Sequence, residues 1–99
     1  MAKRRVEFHE EASRELEAAF DWYLERSEST AERLLIDLNI ATANVAEAPQ
    51  RWPASNYGTR KFLLTRFPYA LIYREFSLFI QILAVAHARR RPGYWKNRV

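Results

Sequence analysis

The spacing of apolar residues changes period twice along this chain of 99 residues, and those changes leave few folds open. In RRVEFHE, Val6 and Phe8 alternate with Arg5, Glu7 and His9, the pattern of a short half-buried strand. From Glu10 the apolar positions Ala12, Leu16, Ala19, Phe20, Tyr23 and Leu24 recur at helical spacing. Glu10 and Glu11 stand at the end of that helix where the backbone dipole favours acids. SEST interrupts the pattern, and Ser29 and Glu32 have capping-box spacing. Leu34, Leu38, Ala41, Val45 and Ala48 then mark a second helix, stopped by Pro49, so a helical hairpin is expected.

After PQRWPASNYG the period shortens to that of strands: RKFLLTRF, YALIYREF and LFIQILAVAH lie too close together for anything but hairpins. Pro68 separates the first pair and REFS supplies the second turn. The last run is apolar on both faces, Ile80, Ile82 and Ala84 against Leu83 and Val85, as a central strand covered on both sides would be. The expected architecture is α+β: β-αα-βββ, a helical hairpin packed on a mostly antiparallel four-stranded sheet, one domain over residues 1–99.

Composition then narrows the chemistry. There is no cysteine, which removes disulfides, thiolate nucleophiles and cysteine-based zinc sites together. With His9 and His87 the only imidazoles, a metal site would have to be mainly carboxylate; neither a metal nor a cofactor is expected. No signal-like or membrane-length apolar run appears, so a cytoplasmic protein without membrane contact is expected.

The net charge of +4 conceals a division. Residues 1–50 carry six Lys/Arg and eleven Asp/Glu, whereas residues 51–99 carry ten Lys/Arg and the single acid Glu75. The acids fall on the helices and the bases on the last three strands and the tail, so the uncovered face of the sheet is expected to be basic. Arg66, Arg89, Arg90 and Arg91 are expected to gather there, opposite the acidic helices, and to draw an anionic partner.

The ending HARRRPGYWKNRV concentrates the candidates. Arg89, Arg90 and Arg91 suit phosphates, or an acidic helix of a protein partner, or simply solubility. His87 has the side chain best suited to exchanging protons near neutrality; the simpler reading is a strand-end histidine bonded to nearby backbone or to Tyr73. Tyr94 and Trp95 can stack on bases or fasten the tail to the sheet; Trp95 reads better as a fastener, and Tyr94 is even between the two. On RKFLLTRF, Arg60, Phe62, Leu64 and Arg66 share one face while Lys61, Leu63, Thr65 and Phe67 share the other. Arg60 and Arg66 are thus partner-binding candidates or charged guards of an edge strand. Trp22 and Trp52 read as packing, and Glu10, Glu11, Glu15 and Glu17 as a solvated helix face.

VEFHEEASRELEAAFDWY, RFPYALIY and ILAVAHARRRPGYW, in that order, resemble the RelE/ParE superfamily of toxins of type II toxin–antitoxin systems. The resemblance implies a toxin neutralised by a cognate antitoxin that orders as it wraps its target. It leaves the target open, DNA gyrase for one branch and the ribosome with its mRNA for the other. Tyr94 falls where the RNA-cleaving branch has a tail tyrosine, and His87, Tyr94 and Arg90 are the candidate catalytic residues of such an endoribonuclease. Ala70, however, stands where that branch has an arginine, with nothing adjacent to replace it, and Ala88 stands near the branch's tail arginine, for which Arg89 or Arg90 is a candidate substitute. The motif is therefore closer to ParE, and a non-enzymatic gyrase poison is the reading adopted, with the ribonuclease and a non-toxic RNA-binding module as alternatives. Antitoxin or target contacts are expected at Arg60, Arg66, Arg89, Arg90, Arg91 and Trp95.

Overall fold

The computed structural model describes residues 4–99, so the first three positions of the expected domain lie outside the described residues. Strand β1 (Arg5–Phe8) leads into helix α1 (Glu10–Leu24) and helix α2 (Glu28–Glu47). Strands β2 (Arg60–Leu63), β3 (Tyr69–Glu75) and β4 (Phe79–His87) follow, and single helical turns lie at Pro49–Arg51, Asn56–Gly58 and Lys96–Arg98. His9, in the strand alternation by sequence, starts α1: its Nδ1 accepts the Glu11 N–H at 3.0 Å. The second helix begins two residues earlier than the capping-box spacing suggests. Ser27, not Ser29, is its N-cap, with its hydroxyl accepting the Thr30 N–H at 3.3 Å. The Ser27 N–H itself is taken by Tyr23 O at 2.7 Å, which leaves only two residues to turn the chain.

The sheet has the order β1-β4-β3-β2. β1 runs parallel to β4, and the other two pairings are antiparallel, so the sheet is mixed with its parallel pair at one edge. The runs read from sequence are longer than the strands. β2 stops at Leu63, after which residues 64–68 turn, so Phe67 joins Leu64 on the helix side and the expected alternation through Arg66 and Phe67 ends early.

β4 carries the feature that its composition obscured. Ile72 faces Ala84 but Tyr73 faces Ile82, so Leu83 is one residue more than its partner strand accommodates. Such a bulge inverts the facing of all that follows. Ile80, Ile82 and Val85 therefore face the helices, while Ala84 and Ala86 face the other way. The run looks apolar on both faces because its alternation slips by one residue in the middle.

The larger core lies between sheet and helices. Ala12 and Ala19 of α1 and Leu34, Leu38, Ala41 and Val45 of α2 meet Leu71, Tyr73, Ile80 and Ile82. Each large aliphatic among them contributes about 1.5–3 kcal/mol by leaving water. Tyr73 is fully buried, and its hydroxyl donates to Pro49 O at 2.5 Å, which ties the end of α2 to the sheet. Leu24 and Trp22, at the end of α1, stay on the surface, with the Arg26 guanidinium 3.6 Å from the Trp22 ring centre. The lone acid of the second half, Glu75 at the end of β3, is ion-paired with Arg4, the residue just before β1.

Candidate functional site

The second face of the sheet is not left open. β4 ends at His87, and the Ala88 N–H donates to Pro68 O at 2.8 Å. The chain turns through Arg89–Pro92 and reverses at Gly93, whose φ of +75° is a left-handed conformation that favours glycine. Trp95 then lands on Ala70, Ile72 and Ala84 and is only 4% exposed. The alanines of this floor make room for the indole, and Tyr57 closes over it edge-on at 5.9 Å between ring centres. Tyr57 has φ +62°, unfavourable for a residue with a Cβ, and it sits where the loop meets the tail.

A carboxylate on α1 fastens the other side of the tail. β1 pairs with β4 only as far as Ile82, and beyond that point β4 has a bare edge. The bulge aims Leu83 C=O and Val85 N–H at this edge, and side chains occupy both. Arg98 Nη1 donates to Leu83 O at 3.0 Å, and Val85 N–H donates to Glu15 Oε1 at 3.0 Å. Arg98 meets the same carboxylate with both nitrogens, at 3.0 and 2.9 Å, and the Tyr94 hydroxyl donates to Glu15 Oε2 at 2.7 Å. A two-point guanidinium–carboxylate pair is the strongest such contact available to a protein. Glu15 is therefore the hub of the tail rather than part of a solvated helix face. Its neighbours Glu10 and Glu11, by contrast, are paired at the surface with Arg14. The sequence did hold the signal: Glu15 lies three residues after Ala12 and four before Ala19, in the buried stripe of α1.

This anchoring sets where the candidate residues go. His87, Arg90 and Tyr94 come together and line a groove of about 390 Å³ beside α1, with Glu15, Trp22 and Tyr69. The His87 ring meets Tyr69, not Tyr73, edge-on at 5.1 Å, and its Nδ1 accepts the Arg89 N–H at 3.0 Å. The Arg90 guanidinium lies 3.8 Å from the Tyr94 ring centre. Burial, then the hydrogen bond to Glu15, hold the Tyr94 phenol well above its ordinary pKa, against the opposing pull of Arg98 and Arg90. Arg91 and Trp95 line a groove on the opposite face of the sheet, about 380 Å³, whose far wall is Lys61 and Leu63 and whose floor is Ala70, Ile72 and Ala86. His87, Arg90 and Tyr94 border this groove as well, so they form the ridge between the two.

The expected single basic face is thus divided. Arg90 and Arg91 rim the apolar floor at one end of the sheet, and Arg89 is exposed in the turn beside them. Arg66 lines a separate groove along α2. Arg60 is held to the molecule itself, donating to Trp52 O at 2.7 Å. Trp95 is an internal fastener with little surface left for a partner, and Ala70 lies 4% exposed in the floor, with no cation in its place. Among the described residues no group of three or more His, Asp or Glu is placed to hold a metal ion, and no helix is long and apolar enough to cross a membrane.

Fold and site together define a small basic α+β domain with two grooves at one end of its sheet and exposed arginines beside them. The chain belongs to the ParE toxin family: a family model described as ParE toxin of type II toxin-antitoxin system, parDE, matches residues 6–92. It is thus a toxin component of a type II toxin–antitoxin system, with a cognate antitoxin as its partner. A solved structure described as the chromosomal ParDE TA system from P. aeruginosa shares the fold. It superposes with a TM-score of 0.68 at 22% identity, covering 86% of this chain and 96% of that one. Comparison with curated proteins gives no match.

Proposed function

We propose that this toxin arrests growth in the cytoplasm by binding and poisoning DNA gyrase, without catalysis of its own, and that the rim formed by Arg89, Arg90 and Arg91 meets the target. The observation that carries this reading is the engagement of the tail. The Tyr94 hydroxyl is bound to Glu15, and His87 Nδ1 is bound to the Arg89 N–H. Cleavage of RNA through a ribose hydroxyl needs a proton acceptor of suitable pKa and cations fixed over the phosphate. Here the phenol is held protonated, and Ala70 stands in the groove floor where the resemblance to the RNA-cleaving branch would put an arginine, the groove's cations lying on its rim. Family membership favours the same side, since the match is to ParE. A rigid tail bearing exposed arginines is what an inhibitor needs, because a preorganised surface loses little entropy on binding.

The test is induced expression followed by two readouts. Growth should stop with a DNA-damage response and intact mRNA, and purified toxin should inhibit gyrase supercoiling. Reversing Arg90 and Arg91 to Glu should weaken that inhibition by about tenfold, roughly 1.4 kcal/mol shared between two rim charges. Discrete mRNA ends mapped to ribosomal A sites, with gyrase unaffected, would overturn the reading.

A further inference from the structure

Arg90 differs from the other exposed cations of the tail in what lies beneath it. Its guanidinium is 3.8 Å from the centre of the Tyr94 ring, close enough to rest on the ring face. That ring is fixed at both ends. Its hydroxyl donates to Glu15 Oε2 at 2.7 Å, and the Tyr94 backbone N–H donates to Arg91 O at 3.2 Å. The Arg90 N–H donates to His87 O at 3.0 Å, so the backbone that carries the guanidinium is tied down as well. Among the described residues the Arg90 side chain has neither an ion-pair nor a hydrogen-bond partner. Arg26 stacks as closely on Trp22, at 3.6 Å, but donates to Trp22 O, and Arg98 donates to Glu15 and Leu83 O. Arg89 and Arg91 are exposed with no ring beneath them among the described residues.

We propose that Arg90 recognises a carboxylate of the target protein, and that Tyr94 is its positioning residue, a platform held in place by Glu15. The inference rests on the reading of this chain as a gyrase-binding toxin and names the contact within it. A guanidinium stacked by its face keeps its N–H groups directed outward along its edges, the arrangement that meets two carboxylate oxygens at once. Holding it there before binding lowers the side-chain entropy lost on association. The surroundings select the anion. Among the residues lining the groove beside α1, Arg90 is the lone arginine or lysine, with Ala18, Trp22 and Val85 for apolar walls and Glu15 close by. A phosphodiester chain laid there would bring several charges to one unpaired cation and would run against the Glu15 carboxylate. A single acidic side chain with apolar neighbours, as a protein surface offers, matches these walls.

The test is the affinity of the full-length toxin for purified gyrase, measured with and without DNA. Arg90→Lys keeps the charge but loses the flat fork, and should weaken binding about fivefold in both conditions. Arg89→Lys and Arg91→Lys should each cost less than about twofold. Tyr94→Leu, which removes the platform, should also cost about fivefold, and Tyr94→Phe, which keeps the ring, should recover most of that. The double variant Arg90→Lys, Tyr94→Leu should bind no worse than either single one, a non-additivity that a merely structural tyrosine would not produce. In the free wild-type toxin, which needs no variant to fold, the side-chain proton resonances of Arg90 should be shifted upfield by the Tyr94 ring. Arg90 resonances at unstructured positions, equal losses for the three lysine variants, or additive losses in the double variant overturn the proposal. A loss on Arg90→Lys that appears only when DNA is present also overturns it, since the anion is then a phosphate. A wild-type toxin that does not bind gyrase at all removes the target reading on which the proposal stands, and the proposal with it.

Discussion

Tyr73 and Tyr94 each donate a phenolic proton inside the fold, one to Pro49 O and the other to Glu15. Burial is the main cause in both of a raised pKa, and it pushes Tyr73 up to about 12. In the unfolded chain a phenol ionises near pH 10, so above that pH the unfolded state gives up protons that the folded state keeps. The stability these residues contribute is therefore fully present below about pH 10 and is lost as pH climbs toward 12. Alkaline titration should show tyrosinate absorbance from these two residues rising together with loss of far-ultraviolet dichroism. A gradual rise with the fold intact counts against their burial. Glu15 was legible only in part: its place in the α1 stripe is in the sequence, but its partners Tyr94 and Arg98 are more than seventy residues away. No local pattern couples positions that far apart.

The element most changed from its sequence reading is β4, where the extra residue Leu83 turns the strand over. That turn has two consequences: Ala84 and Ala86 face the tail, and the edge groups of Leu83 and Val85 face the Glu15–Arg98 pair. The tail is therefore held by Trp95 on the sheet and by Tyr94 and Arg98 on Glu15 of α1. Trp95→Ala should cost about 3–5 kcal/mol of stability, the usual penalty for emptying a large aromatic site. Glu15→Gln should cost about 2 kcal/mol through loss of the charged hydrogen bonds, read as a fall in melting temperature of roughly 8–15 °C. Hydrogen exchange should show both losses first in residues 88–99. The helices were easier to read, because their stripes depend on neighbours three and four apart. The cap of α2, Ser27, was missed, since SEST offers two serines and the Tyr23 carbonyl decides between them, and Leu24, placed in the apolar stripe of α1, stays on the surface.

Across the whole molecule, the division between an acidic first half and a basic second half persists along the chain but not in space. Glu15 stands among the cations of the tail, and Glu75 reaches back to Arg4. Arg89, Arg90 and Arg91 are exposed together at one end of the sheet, so the long-range field should be strong at that end. Gyrase inhibition should weaken as salt rises from about 50 to about 200 mM, and the double Arg90→Glu, Arg91→Glu variant should lose most of that dependence. Equal salt dependence in the variant and the wild type places the contact elsewhere.

By itself the sequence determined the order and kind of the elements, the hairpin of helices, the absence of thiol chemistry and the basic tail, because each of these is written in local spacing or in composition. Tertiary structure alone decided which face each cation serves, that the tail is bolted to Glu15, and that β1 adds to β4 in parallel. These depend on residues that meet across the sheet, and a one-residue bulge in β4 is enough to reverse which of them meet.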